Sequence, residues 1–139
     1  MAEQPDERHQ RPEGVDDATV EAVGRASESF EWVVRARGRL YDFHQMMGRA
    51  DILLGEAISL LEDAGHAELA GELRRDYLGR NAVEGRWTFE LVEDFDGTFY
   101  ERAARWDRRL RDELTGGVRH LHESEMKAAR RQGGPHDDA

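Results

Sequence analysis

Cysteine is absent from the 139 residues of this chain. That absence excludes disulfides, thiolate metal ligands and cysteine nucleophiles. Long apolar runs are missing too, and none approaches the roughly 18 residues that a membrane helix requires. The N-terminal stretch MAEQPDERHQRPEG lacks the apolar segment of a signal peptide. These absences together predict a cytoplasmic protein without a membrane partner.

Lysine is nearly absent, because the basic residues are arginines apart from Lys127. The 30 acidic residues outnumber the 20 basic ones and give a formal net charge of −10. A chain of this charge repels phosphate backbones and gains no attraction to anionic lipid. We therefore expect duplex nucleic acid not to be a partner.

Strand patterns are missing as well. Apolar runs of period two do not occur and β-branched residues are few, so the sequence predicts an all-α fold. We expect a small bundle of three to four helices over residues 27–131. Residues 1–26 are proline-containing and acidic, which predicts a flexible N-terminal arm, and residues 132–139 predict a flexible C-terminal tail.

The strongest pattern predicts one long N-terminal helix. Ser27 or Ser29 is a suitable N-cap, and Gly65 is a suitable C-terminal cap. Between them, apolar residues recur at alternating steps of three and four, which is the period of a helix packed against other helices. Further apolar residues at Met46, Leu53, Ile58 and Leu60 widen this stripe.

The remaining helices are shorter or interrupted. A short return helix is predicted over 66–77, a loop over 79–86, a third helix over 86–114 and a C-terminal helix over 118–131. Asp96-Gly97-Thr98 predicts either a kink or a break in the third helix. Thr98 and Glu101 would form a capping box if the helix breaks there. Thr115-Gly116-Gly117 is a second weak point.

The order of charges along the long helix and the third helix suggests a hypothesis about their relative direction. The long helix is basic in its first half and acidic in its second, whereas the third helix has the reverse order. A parallel arrangement of these two helices would place opposite charges side by side. The same pattern would also suit antiparallel pairing of the long helix with its copy in a second subunit.

The stripe on the long helix is too wide for the remaining short helices to cover. We therefore predict a homodimer with the long helix at its interface. Glycines beside the stripe would permit close helix approach, although they are also compatible with a solvent-facing position. The interface candidates are Gly38, Met46, Gly48, Leu53, Gly55 and Leu60.

Two polar groups are candidates for a small-molecule pocket. His44 and Asp51 project from one edge of the long helix, with Gly48 leaving space between them. The junction before the third helix could hold a small anionic ligand at its free N–H groups. Its candidate residues are Glu84, Arg86, Trp87 and Glu90. The alternative interpretation is structural, with polar residues at a helix–helix rim and a capping cluster at the junction.

The segment HLHESE offers weak candidates for a metal site. His120 with Glu123, and His122 with Glu125, have a spacing that can ligate one metal from a helix face. The two histidines point in nearly opposite directions on a helix, however, and the Glu-x-x-His order of di-metal bundles does not occur. Known nucleophile, phosphate-loop and zinc-protease motifs are absent.

These observations favour a homodimeric binding or scaffold module, with no catalytic residue and no cofactor predicted. The alternative is a small-molecule-binding or catalytic bundle with a polar pocket around His44, Asp51, Arg86 and Glu90. A third hypothesis is a metal-binding bundle. Whether the protein is an enzyme is left open, with the absence of motifs favouring a negative answer.

Overall fold

The computed structural model describes residues 4–131 and confirms the all-α prediction. Within this range one short 3-10 turn precedes five α-helices and one π-helical turn. The elements are Glu7–His9 (3-10), α1 Asp17–Asp63, α2 Ala67–Asp76, α3 Thr88–Asp94, Phe95–Tyr100 (π), α4 Glu101–Leu114 and α5 Leu121–Arg130. The tail predicted for 132–139 lies outside the described residues.

Helix α1 begins ten residues before the predicted start at Ser27. Asp16 caps it, because its Oδ1 accepts a hydrogen bond from the Thr19 backbone N–H at 2.8 Å. Val20 and Val23 are buried, so tertiary packing stabilises a segment whose own apolar pattern is weak. The prediction that residues 1–26 are flexible in solution stays a prediction.

The end of α1 and the following elements match their predicted positions. Gly65 has φ +90°, a left-handed conformation that favours glycine and ends the helix. Helix α2 follows, and the loop after it contains one isolated bridge between Val83 and Arg86. Gly116 and Gly117 both have positive φ values and separate α4 from α5.

The predicted interruption at Asp96-Gly97-Thr98 is a π-helical turn that joins α3 to α4 without a break. Thr98 does not cap a new helix. Its hydroxyl donates to the Asp94 carbonyl at 2.6 Å, which keeps the chain helical through this point. A kinked continuous helix is therefore correct, and π-helical turns of this kind are frequent at functional positions.

The hypothesis of parallel long helices is wrong. In the region 35–100, Glu62 contacts Arg74, Asp51 contacts Gly79, His44 contacts Thr88, and Arg37 contacts Asp96. Contacts therefore move backward along α1 as the chain advances, which makes α1 antiparallel to α2 and to α3. The chain reverses once, between α1 and α2, and does not reverse again after α2, because the following loop continues in the same direction beside α1.

Opposite charges still meet in the antiparallel arrangement. The basic segment of α1 lies beside the acidic start of the third helical stretch, as the Arg37–Asp96 pair shows. The acidic end of α1 lies beside basic residues of α2, as the Glu62–Arg74 pair shows. In full register the antiparallel direction would place like charges together, but the third helical stretch begins beside the middle of α1, where His44 contacts Thr88. This offset brings its acidic start to the basic segment of α1, and charge order alone does not reveal it.

The chain divides into two compact units, which we call unit 1 and unit 2. Unit 1 comprises Met1–Val34 and Glu101–Ala139, and unit 2 comprises Arg35–Tyr100. The buried residues of unit 1, within the described range, are Val20, Val23, Asp107, Thr115, Leu121 and Ala128. Those of unit 2 are Ile58, Ala70 and Val92.

Candidate functional site

The two polar candidates on α1, His44 and Asp51, each form a hydrogen bond with the segment that follows α2. His44 is half-buried, and its Nδ1 lies 2.6 Å from the Thr88 hydroxyl. The Asp51 carboxylate accepts a hydrogen bond from the Gly79 backbone N–H at 2.8 Å. Both side chains therefore have a structural partner in unit 2, at opposite ends of the loop 79–88.

The predicted cluster at the start of α3 forms a cap. Glu90 Oε1 accepts the Trp87 backbone N–H at 3.1 Å, and Arg86 pairs with Asp94. Glu84 is exposed. Because α3 spans seven residues and Glu90 already supplies a carboxylate at its first turn, the helix start is stabilised by the protein itself.

A cavity of about 420 Å³ brings some of these candidates together in unit 2. Gly48 and Asp51 line it from α1, and Trp87 lines it from the start of α3. Thr88, the hydrogen-bond partner of His44, also lines this cavity. Glu84, Arg86 and Glu90 do not line it. Of the candidates for a polar pocket, Asp51 and Trp87 thus line one cavity, and His44 reaches it only through Thr88.

Sequence reasoning missed the other walls of this cavity. Tyr77, Arg80 and Asn81 come from the end of α2 and the following loop. Gly79, with φ +74°, turns the chain so that its N–H reaches Asp51. The turn residues Gly79 and Asn81 were the available signal, but turn chemistry does not indicate which helix the loop will contact.

The four metal candidates do not come together in one group. His120 Nδ1 lies 3.7 Å from Glu123, whereas Glu125 accepts two hydrogen bonds from Arg11, at 2.7 and 3.2 Å. The His122 side chain packs against Gly24. Among residues 4–131, no three histidine or carboxylate side chains are grouped as a metal ion requires.

A two-hydrogen-bond ion pair in unit 2 was also not predicted. Arg37 donates two hydrogen bonds to Asp96, at 2.7 and 2.9 Å, and its guanidinium lies 4.8 Å from the Tyr41 ring centre and 5.0 Å from that of Tyr100. The π-helical turn carries Asp96 and Tyr100 into this arrangement. The guanidinium holds the pKa of the Asp96 carboxyl below its usual range, and the carboxylate raises the pKa of Arg37.

An apolar seam along α1 is exposed in unit 2. We define the α1 seam as Phe43, Met46, Ala50, Leu53, Ala57 and Leu60, all of which are exposed. Their steps are three, four, three, four and three, so they form one line along the helix. Met46 and Leu60 are 65% and 68% exposed. Three of the predicted interface residues, Met46, Leu53 and Leu60, belong to this seam.

The predicted interface glycines lie elsewhere on α1. Gly38 and Gly48 have no neighbouring atoms that an added Cβ would meet, and Gly55 approaches Leu78 of its own chain at an ordinary contact distance. Within unit 2, none of these three glycines is therefore required for close packing.

Comparison with known proteins gives no assignment, since no family model, no curated protein and no solved structure matches this chain. Among the described helices, none combines the length and apolarity needed to cross a bilayer.

Proposed function

We propose that this protein is a cytoplasmic, homodimeric binding or scaffold module without catalytic activity. The observation that carries the proposal is the α1 seam, a heptad line of six exposed apolar or small residues. A regular line of this kind is the pattern by which helices associate, and it has no role on a helix face that stays in water.

Burial in unit 2 supports a missing partner. Ile58, Ala70 and Val92 are its buried residues, whereas thirteen of its large apolar side chains are exposed. Isolated exposed apolar residues need no explanation, but a contiguous line marks an interaction surface. A second copy of the same surface would cover it.

Side-chain size favours an antiparallel pairing of the two copies of α1. The two-fold axis would cross the seam at a level midway between positions 51 and 52 of the helix. It would place Phe43 opposite Leu60, Met46 opposite Ala57, and Ala50 opposite Leu53. Each of the two inner layers then joins a large side chain to an alanine, which fills space evenly. A parallel pairing would instead place alanine on alanine and phenylalanine on phenylalanine, leaving voids and overcrowded layers.

Charge beside the seam favours the same orientation. Arg49 and Glu56 lie on one flank of the seam, and both are exposed. In the antiparallel register, Arg49 of each copy lies alongside Glu56 of the other, so the pair occurs twice. Each exposed pair contributes only about 0–1 kcal/mol, which is enough to select an orientation but not to create the dimer.

Sedimentation equilibrium of two single substitutions tests the proposal. Leu53→Glu places a carboxylate in the seam, where burial against a second copy would be costly, so we expect dimerisation to weaken by at least about 100-fold. Ile52→Glu is the matched control, because Ile52 is similarly exposed but lies about 100° around the helix. It should leave the dimer unchanged. A wild-type chain that stays monomeric at high micromolar concentration would refute the proposal.

Disulfide trapping tests the orientation in the same cysteine-free background. A mixture of Met46→Cys and Ala57→Cys chains, one of them mass-tagged, should give a mixed cross-linked dimer. Met46→Cys alone should not cross-link, because antiparallel copies of residue 46 lie about 16 Å apart along the helix axis. Efficient cross-linking of Met46→Cys with itself would show a parallel pairing.

A second candidate function is small-molecule binding in unit 2, favoured by the convergence of Gly48, Asp51 and Trp87 on one cavity of about 420 Å³. A fluorescence screen of the purified protein tests it. A genuine ligand should change tryptophan emission in the wild type and not in Trp87→Phe, while Trp106→Phe keeps the response. Hits whose signal is unaffected by Trp87→Phe would place binding elsewhere.

A further inference from the structure

Unit 1 contains a separate cavity of about 340 Å³, a volume typical of small-molecule sites. Its lining comes from the first turns of α1, the end of α4, the α4–α5 connection and α5. The segment around His120 and His122, which metal binding does not explain, forms part of its wall.

The floor of this cavity is apolar. Val20, Val23 and Leu121 are each buried, and Val118 and Met126 extend the apolar surface towards the opening. The flexible side chain of Met126 is partly exposed, so it can adapt to an apolar ligand. A ligand for this site therefore needs an apolar body.

Close approach of α5 to α1 shapes one side. Gly24 lines the cavity, and a Cβ added there would lie 2.9 Å from Cβ of His122. Only a glycine at position 24 allows α5 to pack this close to α1. The cavity thus follows from the packing of unit 1 itself.

The polar part of the lining is negatively charged. Glu28, Glu31 and Glu123 line the cavity, and no lysine or arginine within residues 4–131 forms an ion pair with them. The lining cation, Arg111, is already neutralised, because it lies 3.4 Å from the buried Asp107 carboxylate. That carboxylate also accepts a hydrogen bond from the Ser27 hydroxyl at 2.9 Å.

We propose that this cavity binds an amphiphilic organic cation, in which an apolar or aromatic body carries an ammonium or guanidinium group. The body contacts the Val20–Val23–Leu121 floor, and the cationic group lies among the three carboxylates. Apolar burial supplies affinity, and the excess of carboxylates in the lining, of which within residues 4–131 only Glu123 lies beside an imidazole, that of His120, discriminates against neutral and anionic ligands of the same shape.

Three indole compounds that differ in charge test this proposal on the full-length chain. Tryptamine is cationic, tryptophol is neutral and indole-3-acetate is anionic, while the apolar body stays constant. Titration followed by NMR should give saturable shifts at the methyl groups of Val20, Val23 and Leu121. We expect tryptamine to bind about tenfold more tightly than tryptophol, since only tryptamine carries a positive charge that the exposed carboxylates attract, and indole-3-acetate to bind most weakly.

A charge-matched pair of variants separates this site from a general effect of acidity. Glu28→Gln/Glu31→Gln should remove the preference for tryptamine and leave tryptophol binding within about twofold of the wild type. Glu68→Gln/Glu72→Gln on α2 changes the net charge equally and should keep the preference. Equal affinity for the three compounds, absence of saturable shifts at the cavity methyl groups, or an unchanged preference in Glu28→Gln/Glu31→Gln would each overturn the proposal.

Discussion

Unit 1 and unit 2 are similar in described size but place their large apolar side chains differently. Six residues are buried in the described part of unit 1 and three in unit 2, whereas the exposed large apolar side chains number five and thirteen. Unit 1 also buries two polar groups, Asp107 and Thr115, with hydrogen-bond partners for both. The same helix, α1, is thus well covered in one unit and poorly covered in the other.

The contrast shows that apolar content alone does not make a core. The α1 seam has enough apolar surface for tight packing, but its own chain offers a short α2 and a long loop on the neighbouring face. In unit 1, a glycine at position 24 and the turn at Gly116-Gly117 let α5 pack against α1 and close the core. The burial of an apolar face of α1 therefore depends on which later segments of the chain can pack against it.

The largest expected effect tests how far unit 2 depends on one buried side chain. Ile58 is its single large fully buried residue, and Ile58→Ala should lower the free energy of unfolding by about 2–4 kcal/mol through lost burial and a residual cavity. Ile52→Ala makes the same change at an exposed position of α1 and should cost less than about 1 kcal/mol, mainly from lost local contacts. Urea denaturation at one fixed protein concentration measures both. Equal effects would contradict the distinction between a covered and an uncovered face.

A smaller effect is expected at the polar part of the core of unit 1. The buried Thr115 hydroxyl has two carbonyl acceptors within reach, Arg111 at 3.0 Å and Val118 at 3.2 Å. The Arg111 carbonyl keeps the backbone N–H groups of Thr115 and Gly117 as donors, so Thr115→Val should cost about 1 kcal/mol, the net contribution of one hydrogen bond. The matched control is Thr98→Val, whose hydroxyl makes the same kind of bond in an exposed position where water can replace it. Its cost should be below about 0.5 kcal/mol. Thermal unfolding followed by circular dichroism distinguishes the two, and a larger loss in Thr98→Val would be the contrary result.

Much of the fold could be predicted from the sequence, because local signals specify local structure. Gly65 and Gly116-Gly117 mark helix ends directly, and the three–four periodicity identified α1. The start at Asp17 was missed because Val20 and Val23 are too few to show a period, and their burial depends on residues distant in sequence. The direction of packing was wrong because the charge order was compared with the two helices in full register, whereas the third helical stretch begins beside the middle of α1.

The candidate sites were less predictable for a related reason. Asp51 and Trp87 were among the candidates that the sequence offered, and they line one cavity. The hydrogen-bond partners of Asp51 and His44 are Gly79 and Thr88, which lie 28 and 44 residues further along the chain. No local pattern connects residues that far apart. The Arg37–Asp96 pair depends on the π-helical turn. Asp96-Gly97-Thr98 indicated an interruption at this point, but not the helix that the Asp96 side chain would contact.

The smallest effect concerns this ion pair and its dependence on pH. Because Arg37 lowers the folded-state pKa of Asp96, the pair stabilises unit 2 above the unfolded-state pKa of about 3.9, and this stabilisation is lost as pH falls through the lower folded-state value. Asp96→Asn should therefore lower the melting temperature at pH 7, and the difference from wild type should shrink as pH is reduced from 5 to 2.5. Asp63→Asn, an exposed carboxylate at the end of α1, is the control and should show little change at either pH. A wild-type advantage over Asp96→Asn that stays constant down to pH 2.5 would mean that the carboxylate charge is not what joins α1 to the π-helical turn.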